Sequence, residues 1–207
     1  MTRGKRKSKN PLSLLLVEGY TDEVFYNLIK KKFLADCRIT LFNIKGLYNV
    51  NNDIIDKILD FCQNHNDEKI RVYCCLDRES RYGQTPGFDL EVIRKYIKGK
   101  ANNVLSIDTI IATQQIESWF FYDIEGIYKF LKVPRTKRKP KRYQPPEKFG
   151  HKELQKLFEN YGNSYNKGKR CAGFINQLDI KKIISNCQEL KKGIELIKSQ
   201  ATYTHHK

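Results

Sequence analysis

The chain has little that would hold it in a membrane or staple it outside a cell. No apolar run approaches the about eighteen residues that a bilayer requires. Residues 1–10, MTRGKRKSKN, are too basic and too polar for a secretory signal, and read as a flexible arm suited to phosphates. The six cysteines (37, 62, 74, 75, 171 and 187) show no CxxC or Cys/His metal spacing, which leaves no sequence support for a structural zinc site. A reducing cytoplasm is therefore the expected compartment, and adjacent Cys74 and Cys75 read as small core residues within a strand. No internal repeat is evident. Acid is also scarce: 23 Asp plus Glu stand against 39 Lys plus Arg, a formal charge of +16. That imbalance favours an anionic partner, nucleic acid ahead of membrane. Lysines dispersed over the helical segments 21–34 and 179–198 account for part of it as ordinary solvation.

What is present argues for a folded chain. Apolar residues make up 40% of the 207, with eleven Phe and twelve Tyr, enough for a core rather than a disordered polyelectrolyte. LSLLLV (12–17) predicts a short buried strand, followed by a helix N-capped by Thr21 with Val24, Phe25, Leu28, Ile29 and Phe33 on one face. Residues 39–44 predict a second strand ending at Gly46, and 53–62 an amphipathic helix. IRVYCCLD (70–77) predicts a third strand, 89–98 a helix and VLSIDTIIA (104–112) a fourth strand. The order β-α-β-α-β-α-β implies an α/β domain over 12–115 with a mostly parallel four-stranded sheet flanked by helices. From 116 the pattern turns helical and aromatic, which makes 116–207 an α-helical cap. Within it, 132–148 holds eight basic residues, four prolines and one glutamate; it cannot be a regular element, and its prolines predict an extended strip.

Two predicted strands end in acid, the first at Glu18 and the third at Asp77. Functional groups in open parallel sheets gather beyond the carboxyl ends of strands, so both belong on one rim. Glu79 follows on the same side of the chain while it stays extended, and Asp22 opens the next helix. Gly19 is expected to allow a tight turn there. Such acids repel one another unless a cation intervenes, and oxygen-only ligands suit Mg²⁺ or Mn²⁺. A pair of such ions supports phosphoryl displacement. A plainer account also fits each stretch alone: Asp22 and Glu23 suit the macrodipole of a first helical turn, and Asp77, Arg78 and Glu79 suit a solvated loop.

The motifs VEGYTDEVF, NIKGLYN and VYCCLDRES, in this order, resemble the three signature segments of TOPRIM domains, found in primases, topoisomerases, OLD-family nucleases and ribosomal RNA maturases. The resemblance covers about residues 12–112. It implies a Mg²⁺-dependent fold in which Glu18 is a general acid or base, Asp77 and Glu79 are metal ligands, and Asp22 takes the family's acidic position after the glycine. The family's second aspartate is glutamate here, longer by one methylene. ATQQIESWFFYDIEGIYKFLKVP and YNKGKRCAGFINQLDI resemble a group of small TOPRIM-like proteins carrying a domain of unknown function, similar to nuclease subunits of bacterial phage-defence systems. By that similarity Glu117, with Asp123 behind it, completes the metal pocket, although a helix N-terminal acid explains Glu117 equally well.

Lys167 is a candidate to neutralise charge on a phosphorane or leaving oxygen, with Arg170 next; a solvated lysine is the plainer alternative. Trp119, Phe120 and Phe121 are expected in the core, and no histidine is assigned a catalytic role, His151 included. Arg135, Lys137, Arg138, Lys139, Lys141 and Arg142, interleaved with Tyr143, are expected to contact phosphates without reading sequence. The leading expectation is a metal-dependent nuclease acting on DNA or RNA. The resemblance further implies a homodimer, and a larger ATPase partner for an effector inactive alone. A basic nucleic-acid-binding protein with a decayed site is the non-enzymatic competitor.

Overall fold

The computed structural model of the chain describes residues 10–45, 49–78 and 87–201. The arm at 1–9, Gly46 and Glu79 lie outside the described residues. Strands β1 (Leu12–Val17), β2 (Ile39–Asn43), β3 (Ile70–Asp77) and β4 (Val104–Ala112) form one sheet in the order β2-β1-β3-β4, every pairing parallel. β1 and β3 are the central strands and are buried on both faces, which is why they read as unbroken apolar runs. Alternation along β1 sends Leu14 and Leu16 to one core and Leu15 and Val17 to the other. The paired cysteines divide likewise: Cys74 faces the first core and Cys75 the second, both buried.

The first core is closed by α2 (Val50–Asn64) and α3 (Leu90–Lys98), through Ile54, Ile58, Ile93 and Ile97. The second is closed by α1 (Tyr20–Phe33) and by the helices after residue 116, which share that core with the sheet. These are α4 (Ile116–Phe120), α5 (Ile124–Phe130), α6 (His151–Glu159), α7 (Ala172–Ile175), α8 (Ile180–Asn186) and α9 (Gln188–Ala201). Trp119, Phe120 and Phe121 are all within this core, as expected. The 116–131 segment is not one helix. A 3-10 turn at Phe121–Asp123 breaks it, and the Asp123 side chain caps the new helix by accepting from the Gly126 N–H. Among the described residues no helix is long and apolar enough to cross a membrane.

Helix α9 lies on β4 at Gly193. A Cβ there would sit 2.7–2.8 Å from three side-chain carbons of Ile110, closer than carbon atoms pack. Gly193→Ala gains up to about 1 kcal/mol in helix propensity but forces α9 off the sheet, at about 1–3 kcal/mol for overpacking. A net loss of stability in urea unfolding is expected. A neutral or stabilised variant would show that the α9–β4 packing is looser than described.

The basic strip departs from the extended conformation expected of it. It folds into three 3-10 turns (Arg135–Lys137, Pro140–Tyr143 and Pro146–Lys148) because buried Tyr143 and Pro146 pin it to the helical layer. Tyr143 stacks on Phe121 at 5.4 Å between ring centroids and meets Phe149 at 5.3 Å.

Candidate active site

The chain passes from β1 to β2 on one side and from β3 to β4 on the other, so the strand order reverses between β1 and β3. Crevices of this kind, beyond the carboxyl ends of the strands, are where open α/β sheets bind ligands. Glu18 follows β1 directly, and Asp77 ends β3. The Asp77 N–H faces Glu18 Oε2 at 3.4 Å, so residues 59 apart in sequence meet there. The Asp77 carboxyl turns to the next element: its Oδ1 accepts from the N–H of Ile116 at 2.9 Å. That bond anchors the start of α4 and brings Glu117 to the same rim.

Asp22, in the first turn of α1, is 7% exposed, and Glu117 is 1% exposed. Burial, then the charges of Glu117 and Glu18, push the Asp22 carboxyl up to about 7. Burial, then Asp22, Glu18 and Glu117, hold Asp77 well above the usual carboxylate range. The sequence-predicted acids Glu18, Asp22, Asp77 and Glu117 therefore form one electrostatic unit. Glu117 Oε1 accepts from Tyr165 Oη at 3.2 Å and lies 3.5 Å from Lys167 Nζ. Glu117 Oε2 is buried with no hydrogen-bond partner.

Lys167 thus lies beside Glu117 with its side chain 46% exposed. Thr21 does not N-cap α1: Gly19 occupies that place, and the Thr21 hydroxyl instead accepts from the Gly168 N–H at 2.9 Å. This clamp carries Lys167 to the acids. Gly19 also differs from expectation. Its backbone is extended, φ −141°, and a Cβ there would lie 3.4 Å from Asp22 Oδ2, an ordinary contact. No turn requires glycine at that position.

Other expected residues fall elsewhere. Asp123 is buried but fully used, accepting from Gly126 N, Asp179 N and Lys182 Nζ, so it ties α5 to α8 and does not complete the pocket. Within the basic strip, Arg135, Lys137, Lys139, Lys141 and Arg142 are exposed. Arg138 is not available to a ligand: it donates to Glu125 Oε2 at 2.8 Å and to the Val133 carbonyl.

Two further residues join the pocket without having been assigned to it. His151 opens α6, its N–H donating to Gln115 Oε1, and its Nδ1 lies 3.8 Å from Glu117 Oε1. Burial and the neighbouring Lys167 lower its pKa, which favours the neutral imidazole. Tyr165 holds Glu117 from the other loop, and burial followed by the Glu117 charge raises its phenol. Neither carries a local motif; the glycine before His151 is the one sequence hint, since a Cβ at Gly150 would lie 3.2 Å from Gln115 Oε1.

The donor set is all oxygen from Glu18, Asp22, Asp77 and Glu117, with an orphaned buried oxygen on Glu117, and that chemistry fits a hard divalent cation. As they stand, no three His, Cys, Asp or Glu side chains among the described residues are disposed to hold a metal ion together. One oxygen of each of two carboxylates is already engaged by protein: Asp77 Oδ1 by Ile116 N and Glu117 Oε1 by Tyr165 Oη. A family model described as "Domain of unknown function (DUF4276)" matches residues 17–196. No curated protein and no solved structure matches the chain.

Proposed function

The chain belongs to the DUF4276 family, whose domain encloses every acid of the pocket, and from that pocket we propose that the protein is a Mg²⁺- or Mn²⁺-dependent nuclease. The observation that carries the reading is the convergence of Glu18, Asp22, Asp77 and Glu117 at the β1–β3 switch point of a chain with net charge +16. Two buried acids, Asp22 and Glu117, beside the half-buried Glu18 and Asp77 are costly unless a cation shares them, and an acid-lined pocket on a basic protein suits a polyanion that brings phosphate to a metal. The resemblance of the three sequence segments to TOPRIM domains supports the same assignment, and from it we also propose a phage-defence setting.

Glu18, Asp77 and Glu117 would hold the ion, with Glu79 added by the resemblance; a bound ion would supply Lewis-acid polarisation of a phosphate oxygen. In the proposed reaction Glu18 takes the proton of the attacking water as its oxygen bonds to phosphorus. The bond from phosphorus to the leaving oxygen breaks. Lys167, 3.5 Å from Glu117 Oε1 and itself 46% exposed, is the cation that meets the charge gathering on phosphate and leaving oxygen. Asp22 orients Glu18 from the first turn of α1. The exposed cations of the 3-10 strip hold flanking phosphates, with steep salt dependence and no sequence choice.

Purified protein incubated with DNA and RNA is expected to cut phosphodiester bonds in Mg²⁺ or Mn²⁺ and to stop in EDTA. Products that persist in EDTA sink the metal-dependent reading. The protein hydrogen bonds already made by Asp77 Oδ1 and Glu117 Oε1 favour a second version, in which an ATPase partner or a second copy reorganises the pocket before it acts. Cleavage that appears after addition of such a partner selects that version. Retained nucleic-acid binding with no Mn²⁺ signal in calorimetry selects the non-enzymatic competitor.

A further inference from the structure

Large apolar side chains are exposed in few places among the described residues: Tyr20, Phe42, Val92, Tyr96 and Leu105. Tyr20 stands apart because it lies between two acids of the pocket, Glu18 and Asp22. It is the first residue of α1 and is 41% exposed where Tyr26, one turn and a half further along the same helix, is 2% exposed. Tyr20 is therefore only partly covered by its own chain, beside a charged pocket. It is placed to gain from a ligand.

The surroundings of Tyr20 say which ligand. The turn Lys167-Gly168-Lys169-Arg170 is clamped to α1 by the Gly168–Thr21 hydrogen bond. Gly168 has φ +79°, a conformation glycine adopts readily, and the position a Cβ would take lies 3.6 Å from Tyr20 Cβ. The turn therefore packs directly on Tyr20. It sets Lys169 Nζ 5.3 Å from the Tyr20 ring centroid, while Lys167, two residues earlier, reaches Glu117. Lys167, Lys169 and Arg170 are all exposed. An aromatic ring interleaved with cations, next to acids suited to a metal, matches a nucleotide: phosphate for the cations and a flat base for the ring. A cation–π contact at an exposed site is weak, about 0.5–1 kcal/mol, so Lys169 can leave the ring for a phosphate at little cost.

We propose that Tyr20 is a stacking platform for an unpaired base beside the acid pocket, so that the chain takes single-stranded nucleic acid in preference to duplex. In a duplex both faces of each base are already covered by neighbours, and none can meet a ring on the pocket wall. In a single strand each base offers a free face within reach of the phosphate that Lys167 and Lys169 hold. The inference deepens the nuclease reading by naming its substrate class and rests on that reading for the pocket's role. Its recognition step, however, can be measured with chemistry silent.

The test is equilibrium binding by fluorescence anisotropy, in EDTA and again with Ca²⁺ in place of Mg²⁺. The probes are a labelled mixed-sequence single strand, the same strand annealed to its complement, and the same strand with abasic sites, in DNA and RNA forms. The unmodified single strand is expected to bind about tenfold tighter than either other probe. Tyr20→Ala should remove most of that advantage and leave duplex and abasic affinities within about twofold. Tyr20→Trp should retain it, and Lys169→Ala should weaken all three probes together. Tyr20→Ala also loses the ring's contact with Lys169, worth about 0.5–1 kcal/mol, so melting curves should show every variant still cooperatively folded and shifted by no more than a few degrees. A Tyr20→Ala loss equal on base-bearing and abasic strands overturns the proposal, as does duplex binding as tight as single-strand binding, or no affinity for nucleic acid at all. Base-dependent binding without cleavage would leave this inference standing and sink the nuclease assignment; cleavage with no base-dependent role for Tyr20 would do the reverse.

Discussion

Glu18→Gln is expected to cut the rate of phosphodiester cleavage by about 10²–10⁴-fold, the range over which a positioned general base acts, while the folded state persists. Glutamine keeps the length of the side chain and an oxygen able to face the Asp77 N–H, which lies 3.4 Å from Glu18 Oε2. What it removes is the charge and the capacity to take a proton. Asp77→Asn is the matching test of the metal role. Asn keeps an Oδ1 acceptor for Ile116 N, bonded at 2.9 Å, so α4 stays anchored. Alanine at 77 would also remove a helix-start bond worth about 1 kcal/mol and confuse the result. Initial rates at saturating Mn²⁺, read beside melting curves, check both variants. Cleavage surviving Glu18→Gln at the parental rate would remove Glu18 from the chemistry, and with it the proposed mechanism.

The parts of this arrangement that lie within one apolar run were legible in the sequence, and those made by distant partners were not. The expected bounds of β1, β3 and β4 match the structure. The central strands β1 and β3 are covered on both faces, and continuous apolar runs leave little doubt about period. Glu18 and Asp77 were legible for the same reason, each standing where such a run stops. The helical, aromatic pattern that begins at 116 runs through the break at Phe121–Asp123 unaltered, while the new helix is capped by Asp123, which accepts from the Gly126 N–H. Thr21 has the residue type of an N-cap, yet its hydroxyl is claimed by Gly168, 147 positions away. His151 and Tyr165 reach Glu117 from loops whose course is set by Gln115 and by that clamp. No local pattern encodes such contacts. The strip 132–148 shows composition misleading in the other direction: its charge and prolines suggest an extended solvated chain, and Tyr143 and Pro146 fold it down.

The same crowding that makes the pocket a candidate site predicts a large, signed effect of pH on stability. Asp22 ionises at about 7 in the folded chain against an ordinary 3.8, burial being the main cause and Glu117 the next. Between those values the folded state keeps a proton that the unfolded state releases. Its contribution to stability is therefore full below about pH 4 and is lost as pH rises through 7, a change on the order of 4 kcal/mol. Asp77, raised in the same direction, steepens the loss. Asp22→Asn abolishes the Asp22 part, and an amide oxygen can still accept from the residue's own N–H. Urea unfolding is therefore expected to find Asp22→Asn about as stable as the parent at pH 4 and more stable by several kcal/mol at pH 8, without divalent ions. Mn²⁺ should stabilise the parent at pH 8, where the acids are charged, and do little at pH 4, where protons already occupy them. A parent whose stability is level from pH 4 to 8, or an Asp22→Asn variant weaker than the parent at pH 8, would mean that the four carboxylates do not crowd one another as the geometry requires. The case for a shared cation would then lose its electrostatic basis.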